Sequence, residues 1–129
     1  MHVSIVLPAK NEAATIAIVV QELVELYPGY ELLVIDDGST DSTRSIALEA
    51  GARVVSQPYS KGNGAAIKRG AQEASGDVIV FMDSDGQHQP RDVARLLDKY
   101  EEGYDLVVGA RSGLGSQASI ARWGANGFY

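Results

Sequence analysis

Short apolar runs alternate along this chain with longer segments in which apolar residues recur every three or four positions. The apolar runs predict strands at positions 3–7, 32–35, 53–55, 78–82 and 106–108. The periodic segments predict helices at positions 13–26, 42–50, 65–74 and 92–102. Continuously apolar strands are typical of a parallel sheet covered by helices on both faces. The alternation therefore predicts a three-layer α/β/α fold with a mainly parallel sheet.

Glycine and proline mark the ends of the predicted helices. Gly51, Gly76 and Gly103 each follow a periodic segment, where a left-handed residue often closes a helix. Pro90 stands where the first turn of the last helix would begin, and Pro28 with Gly29 follows the first helix.

The last part of the chain loses this periodicity. Four glycines interrupt positions 112–129, although the apolar residues at 120–123 suggest the opening of a helix. We therefore expect one domain at 1–111, followed at 112–129 by the start of a segment that continues in a longer protein.

Composition narrows the classes of function. The net charge of −6 argues against a nucleic-acid-binding protein, which would present a basic face to phosphates. The 129-residue chain contains no cysteine, so it has neither disulfides nor a thiolate metal site. No apolar run is long enough for a membrane span or a signal peptide.

Polar clusters follow three of the predicted strands, at positions 8–12, 36–41 and 83–85. Each cluster alone is compatible with an ordinary turn or a helix cap, with Asn11, Thr40 or Asp41 as the capping residue. In a parallel sheet, however, the carboxyl ends of the strands meet at one edge, where ligands bind. Carboxylates gathered there repel one another unless a cation or a network of hydrogen-bond donors compensates, and the pattern favours a metal–nucleotide site. Asp83 and Asp85 supply the oxygen ligands that Mg²⁺ or Mn²⁺ prefers.

Five segments in register resemble the family 2 inverting glycosyltransferases with the GT-A fold, and most closely the dolichyl-phosphate and other polyprenyl-phosphate sugar synthases. The matching segments are Val-Leu-Pro-Ala-Lys-Asn-Glu at 6–12, Val-Ile-Asp-Asp-Gly-Ser-Thr-Asp at 34–41, Lys-Gly-Asn-Gly at 61–64, Asp-Ser-Asp-Gly-Gln-His-Gln-Pro at 83–90 and Val-Val-Gly-Ala-Arg at 107–111. The resemblance implies that 1–111 is a nucleotide-sugar-binding GT-A domain and that 112–129 begins the acceptor side.

The resemblance also implies roles for individual residues. The implied nucleotide-binding residues are Pro8, Lys10, Glu12, Ile35, Asp37, Asp83 and Ser84. Among these, Glu12 would accept a bond from a ribose hydroxyl, Ile35 would pack beside the base and Asp37 would read the base edge. Asp83 and Asp85 would hold Mg²⁺ or Mn²⁺ on the diphosphate. Asp85, Gln87 and Arg111 would be catalytic, with Gln87 near the metal and sugar and Arg111 neutralising the phosphates.

The implied activity is that of a hexosyltransferase with a UDP- or GDP-linked sugar as donor and a polyprenyl phosphate or a saccharide as acceptor. Positions 112–129 contain no Asp or Glu that could act as a general base. A polyprenyl phosphate is already an anionic nucleophile, so the sequence favours it as acceptor. The expected location is the cytoplasm, with the full-length protein in peripheral contact with the cytoplasmic face of a membrane.

Three alternatives stay open at this point. A nucleotidyltransferase would carry a glycine-rich basic loop after its first strand, where this chain has Pro-Ala-Lys-Asn-Glu. A phospho-acceptor receiver domain would place its acidic pair after the first strand, whereas Asp36 and Asp37 follow the second. A fragment that binds nucleotide and metal without turnover is the third alternative.

Overall fold

The computed structural model describes residues 2–82, 90, 92–101, 106–110, 117–124 and 127–128. The elements, in chain order, are β1 Val3–Ala9, α1 Ile16–Leu26, β2 Glu31–Asp36, α2 Thr43–Ala50, β3 Arg53–Ser56, α3 Asn63–Glu73, β4 Val78–Met82, α4 Asp92–Glu101, β5 Leu106–Ala110, β6 Gln117–Gly124 and β7 Gly127–Phe128. The five predicted strands and the four predicted helices of positions 1–111 are present, with ends that differ by a few residues.

The strands form one sheet in the order β3-β2-β1-β4-β6-β5, with β7 paired to β6. β3, β2, β1 and β4 run parallel, whereas β6 lies antiparallel between β4 and β5. The mainly parallel sheet predicted from the alternating pattern is therefore confirmed.

Both faces of the sheet are covered by helices. Alternate residues of β1, such as Ile5 and Leu7, pack with apolar side chains of α1, α2 and α4. Val6 points to the other face, where Leu33 and Ile35 of β2 pack against α3. Because successive strand residues point to opposite faces, a continuously apolar strand serves both cores, and the three-layer prediction is confirmed.

Two of the glycines that were predicted to close helices have different roles. Gly51 ends α2 in the left-handed conformation, with φ of 113°, as predicted. Gly76 does not close α3, which ends at Glu73 and is followed by Ala74 in an extended conformation. A Cβ at Gly76 would lie 2.7 Å from the backbone nitrogen of Ser4, so glycine is needed there for close approach. Gly103 lies outside the described residues.

The prediction of a helix opening at 120–123 is wrong. These residues belong to β6, which pairs with β4 on one side and β5 on the other. An eight-residue segment is too short to display a helical period clearly. Its conformation follows from long-range pairing, because β6 covers the edge that β4 would otherwise expose.

Candidate active site

The carboxyl ends of β1, β2 and β3 meet at one edge of the sheet. Their register pairs Ala9 with Asp36 and Asp36 with Ser56, so the three strands end side by side. The segments after β1 and β2, which the sequence predicted to meet, are in direct contact there. The segment after β4 begins at Asp83, which lies outside the described residues.

Asn11 joins the segment after β1 to the segment after β2. Its side-chain oxygen accepts hydrogen bonds from the backbone nitrogen of Thr40 at 2.8 Å and from the Thr40 hydroxyl at 3.3 Å. Its own N–H donates to the hydroxyl of Ser39 at 2.9 Å. Asn11 adopts a φ of 54°, a conformation that asparagine tolerates better than most residues. It therefore links two loops, and α1 has no side-chain cap.

Asp41 and Thr43 form a second link between these loops. Asp41 accepts hydrogen bonds from the backbone nitrogens of Ala13, at 3.2 Å, and Thr43, at 3.0 Å, and from the Thr43 hydroxyl. The hydroxyl of Thr43 also accepts the N–H of Glu12 at 2.9 Å. The hydrogen bond from Thr43 is the main reason why the pKa of Asp41 lies below its ordinary value.

Asp37 attaches the segment before α3 to the end of β2. One carboxylate oxygen accepts the N–H of Lys61 at 2.8 Å, and the other accepts the N–H of Gly62 at 3.0 Å and the hydroxyl of Ser60 at 3.1 Å. The residue is only 5% exposed. Both oxygens that were predicted to read a base are thus engaged with this segment.

The ionised form of Asp37 is favoured by these contacts. Burial raises the pKa of this carboxyl, but the hydrogen bonds from residues 60–62 and the charge of Lys10 outweigh burial and hold the pKa below its ordinary value. Lys10 also donates from Nζ to the Ser60 hydroxyl at 2.9 Å. Lys10, predicted at the nucleoside, therefore lies at the same edge as Asp37.

Gly38 allows this close docking. Its φ is 71°, and a Cβ there would lie 2.6 Å from the backbone nitrogen of Ser60. A residue with a side chain would push residues 59–60 away from β2. The Lys61-Gly62 loop is consequently held at the edge, with the Lys61 amine 5.1 Å from the ring centroid of Tyr59.

The remaining predicted residues at the ends of β1 and β2 differ in their exposure to solvent. Pro8 is half-buried on β1, beside Ile35 in the register. Glu12 is half-buried, and its carboxylate accepts the Thr15 hydroxyl at 3.4 Å. Ile35 is fully buried and packs beneath α3. In this conformation Ile35 supports the floor of the site and has no surface to offer a base.

The residues expected to hold a metal follow β4. Asp83, Ser84, Asp85 and Gln87 lie outside the described residues, and so does Arg111, which follows β5. In the described part of the chain, no group of three or more histidine or carboxylate side chains could hold a metal ion. Asp36 and Asp41 accept N–H groups of their own loop, and Asp37 accepts N–H groups of the segment before α3. Asp83, which directly follows β4 in the sequence, and Asp85 stay the predicted oxygen ligands of Mg²⁺ or Mn²⁺.

Ser60 was missed in the sequence, although it contacts both Lys10 and Asp37. A signal was present, because residues 57–62 follow the carboxyl end of a parallel strand as the other clusters do. This segment lacks a carboxylate, and an acidic residue was the feature that drew attention to the other loops.

Comparison with known proteins agrees with this geometry. The profile of Glycosyl transferase family 2 matches residues 4–124. The chain belongs to glycosyl transferase family 2. The predicted family and GT-A-type fold are therefore confirmed, and the nucleotidyltransferase and receiver-domain alternatives are set aside.

Several relatives match most of this chain. It is 35% identical over 117 residues to the dolichol-phosphate mannosyltransferase of Pyrococcus furiosus, covering 86% of this chain and 33% of that protein. It is 40% identical over 111 residues to glycosyltransferase AglJ of Haloferax volcanii, covering 84% of this chain and 36% of that protein. The chain thus spans about a third of the length of these curated relatives.

A solved structure shares the fold closely. Glucosyl-3-phosphoglycerate synthase from Mycobacterium tuberculosis, in complex with Mn²⁺, UDP and glucosyl-3-phosphoglycerate, matches with a TM-score of 0.77 and 32% identity. The match covers 94% of this chain and 56% of that one. Another structure of the same synthase contains Mg²⁺ and UDP. Both metals expected from the sequence thus occur with UDP in this relative.

Proposed function

We propose that this chain is the donor-binding part of a metal-dependent inverting glycosyltransferase. Residues 1–111 bind a nucleoside diphosphate sugar, and 112–129 begin the acceptor side. The observation that carries the proposal is the hydrogen-bonded assembly of Lys10, Ser60 and Asp37 with Lys61 at the carboxyl edge of the sheet. The neighbouring strand β4 leads directly from this edge into Asp83 and Asp85.

The described residues have distinct tasks in this proposal. Pro8 and Lys10 line the nucleoside, and Glu12 accepts a hydrogen bond from a ribose hydroxyl. Asp37 holds the loop that carries Lys61. When a nucleotide binds, a donor of the base replaces one of the loop donors on the Asp37 carboxylate. Ile35 supports the floor beneath them.

The acidic segment after β4 supplies the metal site. Asp83 and Asp85 would hold Mg²⁺ or Mn²⁺, which stabilises the diphosphate as it leaves the sugar. Ser84 would adjoin the nucleotide, Gln87 would lie near the sugar, and Arg111 would neutralise phosphate charge. UDP is the better supported donor nucleotide, because the relative of known structure binds UDP, and GDP is the alternative.

A phosphate-bearing acceptor is favoured over a neutral saccharide. The P. furiosus relative is a dolichol-phosphate mannosyltransferase, and the M. tuberculosis relative makes glucosyl-3-phosphoglycerate. A polyprenyl phosphate fits the lack of a carboxylate in 112–129, because an anionic phosphate needs no general base. The full-length protein would then work in peripheral contact with the cytoplasmic face of a membrane. No helix in the described ranges is long and apolar enough to span one.

Calorimetric titration of the chain with UDP and with GDP, each with and without Mn²⁺, tests the donor site. We expect metal-dependent binding of one nucleotide, with at least a tenfold loss of affinity in Asp85→Ala. Asp98→Ala, which removes an exposed carboxylate from α4, is the matched control and should bind as wild type does. Absence of binding by the folded chain, or equal loss in both variants, would contradict the proposal.

A second candidate function is nucleotide and metal binding without turnover by these residues alone. The observation that favours it is the coverage of only about a third of the curated relatives. We expect little or no sugar transfer to a polyprenyl phosphate from 1–129, and robust transfer would rule out this candidate.

A further inference from the structure

A groove runs along α3, beside the segment that follows β3. Its volume is about 250 Å³, and it is lined by Gln57, Lys61, Ala65, Lys68, Arg69 and Gln72. Drug-sized ligands occupy pockets of about 300–1,000 Å³, so this groove suits a smaller group. Its lining contains amides and cations but no carboxylate.

Gln57 is the most informative residue of the groove. It is only 5% exposed, and its backbone N–H donates to the carbonyl of Asp36 at 2.8 Å. Within the described ranges its side-chain amide has no hydrogen-bond partner. A buried amide without a partner is costly, and a ligand oxygen in the groove would satisfy its N–H donors.

The cations give the groove a positive charge in a chain whose net charge is −6. Lys61 and Lys68 are exposed and form no ion pair in the described part of the chain. Arg69 is paired with Glu73, but Glu73 also binds Arg53 and so neutralises neither fully. Cations crowded together repel one another, and an anion between them removes that cost.

We propose that this groove is a binding site for a phosphate group. Phosphate carries several acceptor oxygens, and every charged side chain of the lining is a donor. The Gln57 amide donates at the buried end, and Lys68 and Arg69 pair with the charge.

The groove is separate from the proposed metal site. The segment after β3 lies at the end of β3, and β2 and β1 intervene between β3 and β4. α3 itself packs on β1 and β2. Three strand spacings of about 4.8 Å place the end of β3 about 14 Å from the end of β4. A phosphate bound beside Gln57, which directly follows β3, and a diphosphate on a metal at Asp83 and Asp85 would therefore occupy different places.

Titration of the isotopically labelled chain with inorganic phosphate, followed by NMR, tests the site. We expect saturable shifts of the Gln57 and Gln72 side-chain amides and of the 61–72 backbone. Lys68→Ala should weaken binding at least fivefold, and Lys68→Arg should restore it. Arg44→Ala, which removes an exposed cation from α2 on the opposite face, should leave binding unchanged. Unaltered affinity in Lys68→Ala, or equal loss in Arg44→Ala, would overturn the proposal.

Two further experiments identify the molecule that supplies the phosphate and test whether the groove is separate from the donor site. Glycerol 3-phosphate tests a soluble phosphorylated metabolite, and vesicles containing phosphatidic acid test a lipid headgroup. Lys68-dependent binding of either one supports the site, whereas failure of both overturns it.

The titration is then repeated with saturating UDP and Mn²⁺, where full displacement of phosphate would show that the groove is part of the donor site. Because phosphate binding is read without nucleotide, failure of the donor proposal does not obscure this result.

Discussion

The two ends of β2 carry carboxylates that do the same structural work in different surroundings. At the carboxyl end, Asp37 holds the segment before α3 through the N–H groups of Lys61 and Gly62. At the amino end, Glu31 holds the segment after α3 through the N–H of Ser75 at 2.9 Å. The helix is thus attached to the same strand at both of its ends.

The two carboxylates differ in the side chains that surround them. Glu31 also accepts the hydroxyl of the fully buried Ser4 at 2.7 Å, and Arg53 lies 3.6 Å away. At the other end, Asp37 is bordered by the exposed cations Lys10 and Lys61. The type of residue therefore does not distinguish a structural carboxylate from one that we propose to bind a ligand. The exposed cations beside Asp37, at the carboxyl edge where ligands gather in parallel sheets, favour the second role there.

The largest expected effect comes from glycines beside the two carboxylates. Gly38→Ala forces a left-handed alanine against the backbone of Ser60, and we expect the free energy of unfolding to fall by about 3 kcal/mol. Gly76→Ala meets Ser4 without a left-handed φ, and we expect a loss of about 2 kcal/mol. Urea denaturation measures both.

Gly29→Ala is the control for these substitutions, because a Cβ there would meet no atom within 4 Å. It should change stability by less than about 0.5 kcal/mol. If Gly38→Ala were as stable as Gly29→Ala, docking of residues 59–60 against Gly38 would not describe the protein in solution.

The next prediction separates ligand binding from stability. Asp37→Asn and Glu31→Gln each weaken hydrogen bonds to a charged acceptor, so each should lower the free energy of unfolding by about 1–3 kcal/mol. Asp37→Asn should also weaken binding of UDP with Mn²⁺ at least tenfold, or about 1.4 kcal/mol. Glu31→Gln should leave that affinity within about twofold, because six strand residues put about 20 Å between the two ends.

Calorimetry and urea denaturation on the two variants check this contrast. Equal losses of nucleotide affinity would mean that the attachment of α3 at both of its ends, and not the loop at residues 60–62 alone, determines nucleotide affinity. Unchanged affinity in both variants would remove Asp37 from the donor site.

Much of this arrangement follows from the sequence. The apolar runs predicted β1 to β5, and the parallel topology predicted that the segments 8–12 and 36–41 meet. The attachment of residues 60–62 to Asp37 could not be predicted, because its partners lie 23 to 25 positions away and two of them are backbone N–H groups. Every residue type except proline has a backbone N–H, so the residue types do not show which N–H groups will pair. The pairing of β6 with β4 could not be predicted for the same reason.

A smaller effect should appear in the pH dependence of stability. The pKa of Asp37 and the pKa of Glu31 are both below their ordinary values, because hydrogen bonds to the ionised forms outweigh burial. The stabilisation is therefore fully present above the carboxyl pKa of the unfolded chain, about 4, and is lost as the pH falls through the folded values. The stability gap between wild type and each variant should be constant from pH 7 to 5.

Below pH 4 the gap should narrow, because protonated Asp37 resembles Asn and protonated Glu31 resembles Gln. Urea denaturation at several pH values between 7 and 3 measures it. A gap that stays constant down to pH 3, or that already narrows between pH 7 and 5, would contradict the shifted pKa values.

The smallest effects are expected from the cations that border the two carboxylates. Arg53 bridges Glu31 and Glu73 at the amino end, and its side chain is 49% exposed. Lys10 bonds the exposed Ser60 hydroxyl at the carboxyl end. Solvent screens both contacts, so Arg53→Ala and Lys10→Ala should each cost less than about 1 kcal/mol of stability, and less again in 1 M salt.

The two variants should differ in ligand binding. Lys10→Ala should weaken binding of UDP with Mn²⁺ severalfold, because Lys10 lines the open edge and places Ser60 beside Asp37. Arg53→Ala removes the same charge from the amino end of β2 and should leave the affinity unchanged. Calorimetry at low and high salt checks this pair, and equal weakening by both would point to the net charge of the chain instead of the position of Lys10.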